Sequence, residues 1–208
     1  MNSHYATSQG LHLNYSLILD MIEDGSRVLD LGCGNGYLLK LLKDKKKIKG
    51  NGIEIDQNGV IQCLEKGLSV IQGDIDEGLK QFTDKSYDYV ILNQTLQSTY
   101  NPDFVLEEML RVGKKCIVSF PNFAYWKIRF NFFFTGNMPK SQVLPFEWFN
   151  TPNIHLLTIK DFFDFAKKHN INILDVIYTT EANIKKGMFY NIFSNLLAEE
   201  AIFVIAKS

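Results

Sequence analysis

Short apolar runs of strand length alternate along this chain with stretches whose apolar residues recur at helical spacing. Val28 to Leu31, Gly50 to Ile55, Leu68 to Ile71, Tyr87 to Leu92 and Cys116 to Phe120 read as five strands. The fourth has the unbroken apolar end of a strand buried on both faces. Between them, Gly36 to Lys43, Asn58 to Lys66 and Pro102 to Val112 read as helices, with Gly67 as a stop and Pro102 in a first turn. A lead-in helix is predicted over Leu11 to Glu23, with Leu13, Leu17, Leu19 and Ile22 as its apolar positions and Gly25 beyond its end. Thr158 to His169 reads as a helix capped by Thr158, with Asp161 at its third position. Ile171 to Tyr178 and Ala201 to Ala206 read as two further strands.

This alternation implies right-handed βαβ crossovers and a doubly wound, mostly parallel α/β sheet, with ligands outside the carboxyl ends of its strands. No internal repeat or linker divides the sequence, so residues 1–208 read as one α/β domain with an aromatic insertion over about 121–157. That insertion carries Tyr125, Trp126, Phe130, Phe132, Phe133, Phe134, Trp148 and Phe149. A long segment at this place serves as a lid over an acceptor site or as a partner surface. Its aromatic residues are expected in the lid's own core, and His155 as a hydrogen-bonded structural residue. The segment Ile184 to Leu197 holds Met188, Phe189, Ile192, Phe193, Leu196 and Leu197, an apolar stripe suited to core packing or to a partner.

Composition removes several classes. There are 22 basic and 23 acidic residues, a net charge of -1, so no global field draws the protein to nucleic acid or anionic lipid. Mean hydropathy is -0.08 and no apolar run is long enough to span a bilayer. The polar stretch Met1 to Gly10 lacks the layout of a signal peptide, and a cytoplasmic location is expected. Lys43 to Lys49 is a local basic run, read as a solvated helix end that complements the helix dipole. Cys33, Cys63 and Cys116 have no paired spacing, so neither a metal site nor a disulfide framework is expected.

The chemistry concentrates where the first strand meets the first crossover helix, at Asp30-Leu31-Gly32-Cys33-Gly34-Asn35-Gly36. Glycines at alternate positions let the backbone turn with positive φ and approach a ligand closely, and the following helix offers free amides and a positive dipole end. The spacing is Asp-x-Gly-x-Gly-x-Gly, not Gly-x-Gly-x-x-Gly, which argues against a nicotinamide enzyme. A carboxylate at Asp30 would repel a pyrophosphate and suits a cationic or hydroxyl-bearing ligand. A plain tight turn is the alternative. Glu54, 24 positions after Asp30, ends the second strand near the spacing at which an acid meets ribose hydroxyls.

The glycine loop resembles the first motif of the class I S-adenosylmethionine-dependent methyltransferases. That resemblance implies a Rossmann-like three-layer fold with seven strands, the last antiparallel. It puts Glu54 on the ribose. It also implies that Asp74 and Ile75, in Gln72-Gly73-Asp74-Ile75, lie near the adenine; the alternative for Asp74 is an exposed acidic turn. Asn93 and Gln94, after the fourth strand, fall beside the methionine portion and the acceptor. The implied cofactor set is therefore Asp30, Gly32, Cys33, Gly34, Gly36, Glu54, Asp74, Ile75 and Asn93. Many family members carry a His near position 97; Gln97 stands here and is a poor base, so no catalytic residue is assigned.

Four segments are similar to the methionine biosynthesis protein MetW family: Gln72 to Leu79, Asn93 to Gln97, Ser119 to Phe123 and Thr151 to Leu156. The resemblance runs from about Arg27 to Tyr178. It implies binding of S-adenosylmethionine, or S-adenosylhomocysteine as product, and an association with homoserine O-acyltransferase. Two functions remain open from sequence: methyl transfer to an unknown small molecule, and a non-catalytic partner or regulator of that acyltransferase.

Overall fold

The computed structural model describes residues 8–141, 144–180, 183–185 and 188–207. The readings made on Met1 to Thr7 and on the side chains of Leu13, Met188, Phe189 and Ile192 lie outside the described residues. In chain order the elements are α1 (Ser8–Met21), β1 (Arg27–Leu31), α2 (Tyr37–Lys46), β2 (Lys49–Glu54), α3 (Gln57–Glu65), β3 (Ser69–Gln72), β4 (Tyr87–Asn93) and α4 (Pro102–Val112). Then follow β5 (Gly113–Pro121), α5 (Trp126–Thr135), α6 (Ile159–Lys168), β6 (Ile171–Thr180), β7 (Asn183–Lys185), α7 (Met188–Leu197) and β8 (Glu200–Lys207). Single 3₁₀ turns occupy Ile75–Glu77 and Leu96–Ser98.

The strands form one sheet in the order β3-β2-β1-β4-β5-β8-β6-β7. The pairs β1–β2, β1–β4, β2–β3 and β4–β5 are parallel, and β8 runs antiparallel between β5 and β6. All seven expected strands are present. The three-residue β7 is an eighth that apolar patterning did not reveal, paired antiparallel to the end of β6 at the sheet edge.

Side chains alternate across the central strands into two cores. Leu29, Leu31, Val90, Leu92 and Val118 join α4 and α6 residues on one face, while Val28, Tyr89, Ile91 and Ile117 join α1 and α2 residues on the other. Burial on both faces explains the unbroken apolar run of β4. The strand order reverses between β1 and β4, and that switch point fixes where a crevice opens at the carboxyl ends.

The capping predicted at Thr158 is present as a reciprocal box with Asp161. The lysine run closes α2 with Lys43, Lys45 and Lys46 in the last turn and Lys47 in the left-handed region. The insertion departs from expectation. Within α5 only Ile128 is buried, packing with Tyr125 and Leu144 in a small satellite cluster. Tyr125 is buried in that cluster as expected, but Trp126, Phe130, Phe132, Phe133, Phe134, Trp148 and Phe149 are exposed, Phe133 at 81% and Trp148 at 73%.

Candidate functional site

The glycine loop is a chain of left-handed residues: φ is 69° at Gly32, 54° at Gly34 and 74° at Gly36. Only residues without a Cβ adopt this run at low cost. The loop is anchored to β2, because the amides of Gly32 and Cys33 both donate to the Ile53 carbonyl, at 2.9 and 3.1 Å. Gly36 then caps α2 and faces inward; a Cβ there would come within 2.6 Å of Cys63 Sγ and Leu68 Cδ1. Gly34 differs. A Cβ there would meet nothing within 4 Å, so this part of the loop borders open space.

Glu54 ends β2 directly beside the loop and is 7% exposed. Its Oε2 accepts the Gly34 amide at 2.7 Å and its Oε1 accepts the Asp56 amide at 2.8 Å. A carboxylate has about four lone-pair positions, so two remain after these backbone bonds. The carboxylate is thus held in place while keeping capacity for a ligand's donors. Asp30 lies beneath, 2% exposed, on the α1–α2 face of the sheet. Burial and, secondarily, the Glu54 charge push its carboxyl up to about 7. Tyr15 of α1 is close enough to feel the Asp30 charge and stacks on Tyr37, centroids 5.3 Å apart.

The neighbouring strand ends complete the rim. The Gly73 amide donates to the Glu54 carbonyl at 3.0 Å, so β3 brings Asp74 alongside. The Asp74 side chain accepts the Asp76 amide at 2.9 Å and caps the following 3₁₀ turn, as an acidic turn residue would; Ile75 is buried behind it. On the other side, a Cβ on Gly32 would lie 2.7 Å from Thr95 Cγ2, which sets the loop after β4 against the glycine loop. Asn93 Oδ1 accepts from Ser119 Oγ at 2.6 Å. Direct bonds therefore join Gly34 and Glu54, close approach adds Thr95, and backbone pairing places Asp74 beside the end of β2 and Asn93 at the end of β4, with β1 and β2 between them.

Three features escaped the sequence reading. Gln94 has φ 54°, an uncommon conformation for a side chain with a Cβ, and its Nε2 donates to Glu200 Oε1 at 2.5 Å. Glu200 opens β8, is 6% exposed, and also accepts from Asn14 Nδ2 of α1. Burial pushes its carboxyl up to about 7, against the hydrogen bonds from Gln94 and Asn14. A carboxylate pair, Glu199-Glu200, at the head of an apolar strand was the signal that could have found it. Buried atoms without a hydrogen-bond partner among the described residues include Asn14 Oδ1, Gln97 Oε1 and His155 Nε2. The expectation of a satisfied His155 is thus not met: its amide donates to the Gln97 carbonyl at 3.0 Å, but its ring Nε2 does not pair. Finally, Cys33 and Cys63, 30 residues apart, bring their Sγ atoms to 3.9 Å as free thiols.

This architecture is the Rossmann-like fold of the class I methyltransferases. A SAM-dependent methyltransferase from Archaeoglobus fulgidus aligns with a TM-score of 0.69 over 97% of this chain and 95% of its own, at 18% identity. The [4+2]-cyclase SpnF aligns at 0.66 over 99% of this chain and 85% of its own, at 17% identity, so the fold also carries a cyclase. Within that class, residues 12–205 match the family described as methionine biosynthesis protein MetW, and the chain belongs to this family. The bifunctional methionine biosynthesis protein MetXA/MetW of Rhodopirellula baltica is 40% identical over 177 residues. The match covers 81% of this chain and 28% of that protein, so the chain spans little more than a quarter of the relative's length. No helix among the described residues is long and apolar enough to cross a membrane.

Proposed function

We propose that the crevice above Asp30, Gly32, Cys33, Gly34, Gly36 and Glu54 binds S-adenosylmethionine, and that the protein transfers a methyl group to a small molecule in methionine biosynthesis. The observation that carries this reading is the Glu54 carboxylate, fixed by Gly34 and Asp56 with lone pairs to spare beside open space at Gly34. Two vicinal hydroxyls suit those lone pairs. Asp74 and Ile75 flank the adenine end, and Asn93 the methionine end. When bound, the cofactor supplies an electrophilic sulfonium methyl group. Asp30, buried and with its carboxyl pushed up by that burial, is drawn toward its ionised form when a cation approaches. Gln97 is a poor base, and Glu200 at the head of β8 holds Gln94 at the β4 end through a hydrogen bond.

The test is titration calorimetry with S-adenosylmethionine and S-adenosylhomocysteine, followed by incubation with methyl-labelled cofactor and fractionated extract. Saturable binding with label transfer supports the enzyme. Absence of binding by either ligand overturns the reading.

A second reading is favoured by one observation, the joining of a MetXA part and a MetW part in the Rhodopirellula relative. In it the protein binds the same cofactor and acts as partner or regulator of a homoserine O-acyltransferase. Altered acyltransferase activity on adding the protein, with no label transfer, supports this second reading over the first.

A further inference from the structure

Helix α5 is short, and nine of its ten residues are not buried. Isolated helices of this length are marginal in water, and most helical stability comes from packing an apolar face. Here Ile128, with Tyr125 and Leu144, supplies the only packed contact of the helix with a core cluster among the described residues. Five of its ten residues are aromatic, Trp126, Phe130, Phe132, Phe133 and Phe134, and the remainder besides Ile128 are polar. Trp126, Phe130 and Phe134 follow at i, i+4 spacing as a row of edge-to-face and tilted rings, with centroids 5.9 and 5.8 Å apart, and Phe133 meets Phe134 edge-on at 5.0 Å.

The surface continues past the helix. Met138 and Pro139 line one small cleft together with Trp148, and Trp148 contacts Phe149 at 5.7 Å. A Lys140–Glu147 ion pair at 2.6 Å ties the two stretches together. Exposures are 56% for Phe130, 52% for Phe132, 81% for Phe133, 72% for Phe134, 73% for Trp148 and 69% for Phe149. With roughly 150–250 Å² per aromatic side chain, Trp126, Phe130, Phe133, Phe134, Trp148 and Phe149 at these exposures offer on the order of 800 Å². That is about one partner's share of a standard protein interface. Contiguous apolar area of this size on a water-facing surface marks an interaction site.

We propose that the aromatic face of α5, continued by Trp148 and Phe149, is the docking surface for a homoserine O-acyltransferase subunit. The proposal rests on the second reading above and names the surface that reading needs. The occupant follows from two facts. In the Rhodopirellula relative a MetXA part is carried in the same chain as the part alike to this protein, which holds the two permanently together. No carboxylate occurs from residue 121 to residue 146, while Lys127 stands over the Trp126 ring, so the face suits an apolar partner surface with a neutral or acidic rim. The helix also leaves the carboxyl end of β5, the edge of the sheet that bears the candidate cofactor crevice. A partner seated there lies beside that crevice.

The experiment mixes the full chain with the purified homoserine O-acyltransferase of the same organism and measures complex formation by light scattering and calorimetry. The wild-type chain is expected to form a complex. Phe133→Asp with Phe134→Asp weakens it by at least about 100-fold, and Phe133→Leu with Phe134→Leu keeps it within about 10-fold. Both variants, altered only at exposed positions, retain the wild-type melting profile and cofactor affinity. A complex that survives the Asp substitutions overturns the surface and leaves the partner reading standing. No complex with the wild-type chain overturns both. The proposal also fails if the wild-type chain forms a homodimer that the Asp variant abolishes, or binds phosphatidylglycerol vesicles that the Asp variant does not.

Discussion

Glu54 Oε2 accepts the backbone amide of Gly34 at 2.7 Å, a bond between residues twenty apart in sequence. It fixes the acid at the end of β2 against the most open point of the glycine loop, and the Asp56 amide holds the other oxygen. Replacing Glu54 by Ala leaves two backbone donors without their acceptor and removes the proposed diol contact. Each such loss costs about 1–3 kcal/mol. Cofactor affinity measured by calorimetry is expected to fall roughly 10- to 100-fold. Undiminished affinity in Glu54→Ala would remove Glu54 from the site.

The glycines of the loop should separate into two kinds. Gly36→Ala forces both a left-handed alanine and a contact of 2.6 Å on Cys63 and Leu68, so the melting temperature drops and binding drops with it. Gly34→Ala carries only the backbone strain, roughly 1 kcal/mol, because nothing lies within 4 Å of the added carbon. Its stability should stay near wild type while cofactor affinity falls. Thermal unfolding with and without S-adenosylmethionine reads both effects in one experiment.

Two buried carboxyls set a pH dependence. Asp30 and Glu200 are both pushed up to about 7 in the fold, from ordinary values of 3.8 and 4.5. Between the ordinary and the raised values the folded chain binds more protons than the unfolded chain, so stability falls as pH rises through this window and levels off above it. Exposed Asp44 and half-buried Asp88, held low by lysine partners, act in the opposite direction and lose their contribution only at acid pH. Urea midpoints followed from about pH 4 to 8 should decline with pH. Asp30→Asn and Glu200→Gln should each flatten the decline, and equal slopes in wild type and both variants would contradict the assignment.

The cysteines should be inert in the folded protein. Burial pushes the thiols of Cys33 and Cys63 up, and Cys116 up to about 12, so little thiolate exists near neutrality. A thiol reagent is expected to react slowly with the native chain and rapidly with three groups in denaturant. Fast native labelling at Cys33 would mean that the glycine loop opens.

Much of the fold could be read from local signals. The turn glycines, the Thr158–Asp161 cap and the apolar strands act within a few residues, where propensity and hydrogen-bonding chemistry decide the outcome. Acids that follow a strand, such as Glu54 and Asp74, were legible because strand ends line the crevice of an α/β sheet. Glu200 and Asn14 were not. They come from opposite ends of the chain, 186 residues apart, and meet only because β8 inserts beside β5 and α1 packs on the same face. The Gln94 backbone gave no signal either, since the preference for glycine at positive φ points away from glutamine there. The aromatic insertion misled for a related reason. Apolar residues are expected inside, and it is because no element among the described residues packs over α5 that they form a surface.

The sequence by itself determined the alternating α/β order, the glycine turn and the acids that follow it, because each depends on neighbours along the chain. Tertiary structure alone decided which distant groups meet: the Gly34 amide with Glu54, Gln94 with Glu200, and Cys33 with Cys63. It also decided that the aromatic face of α5 looks outward. These outcomes depend on sheet order and crossover packing, which bring distant residues within a few ångströms, and no local preference encodes that distance.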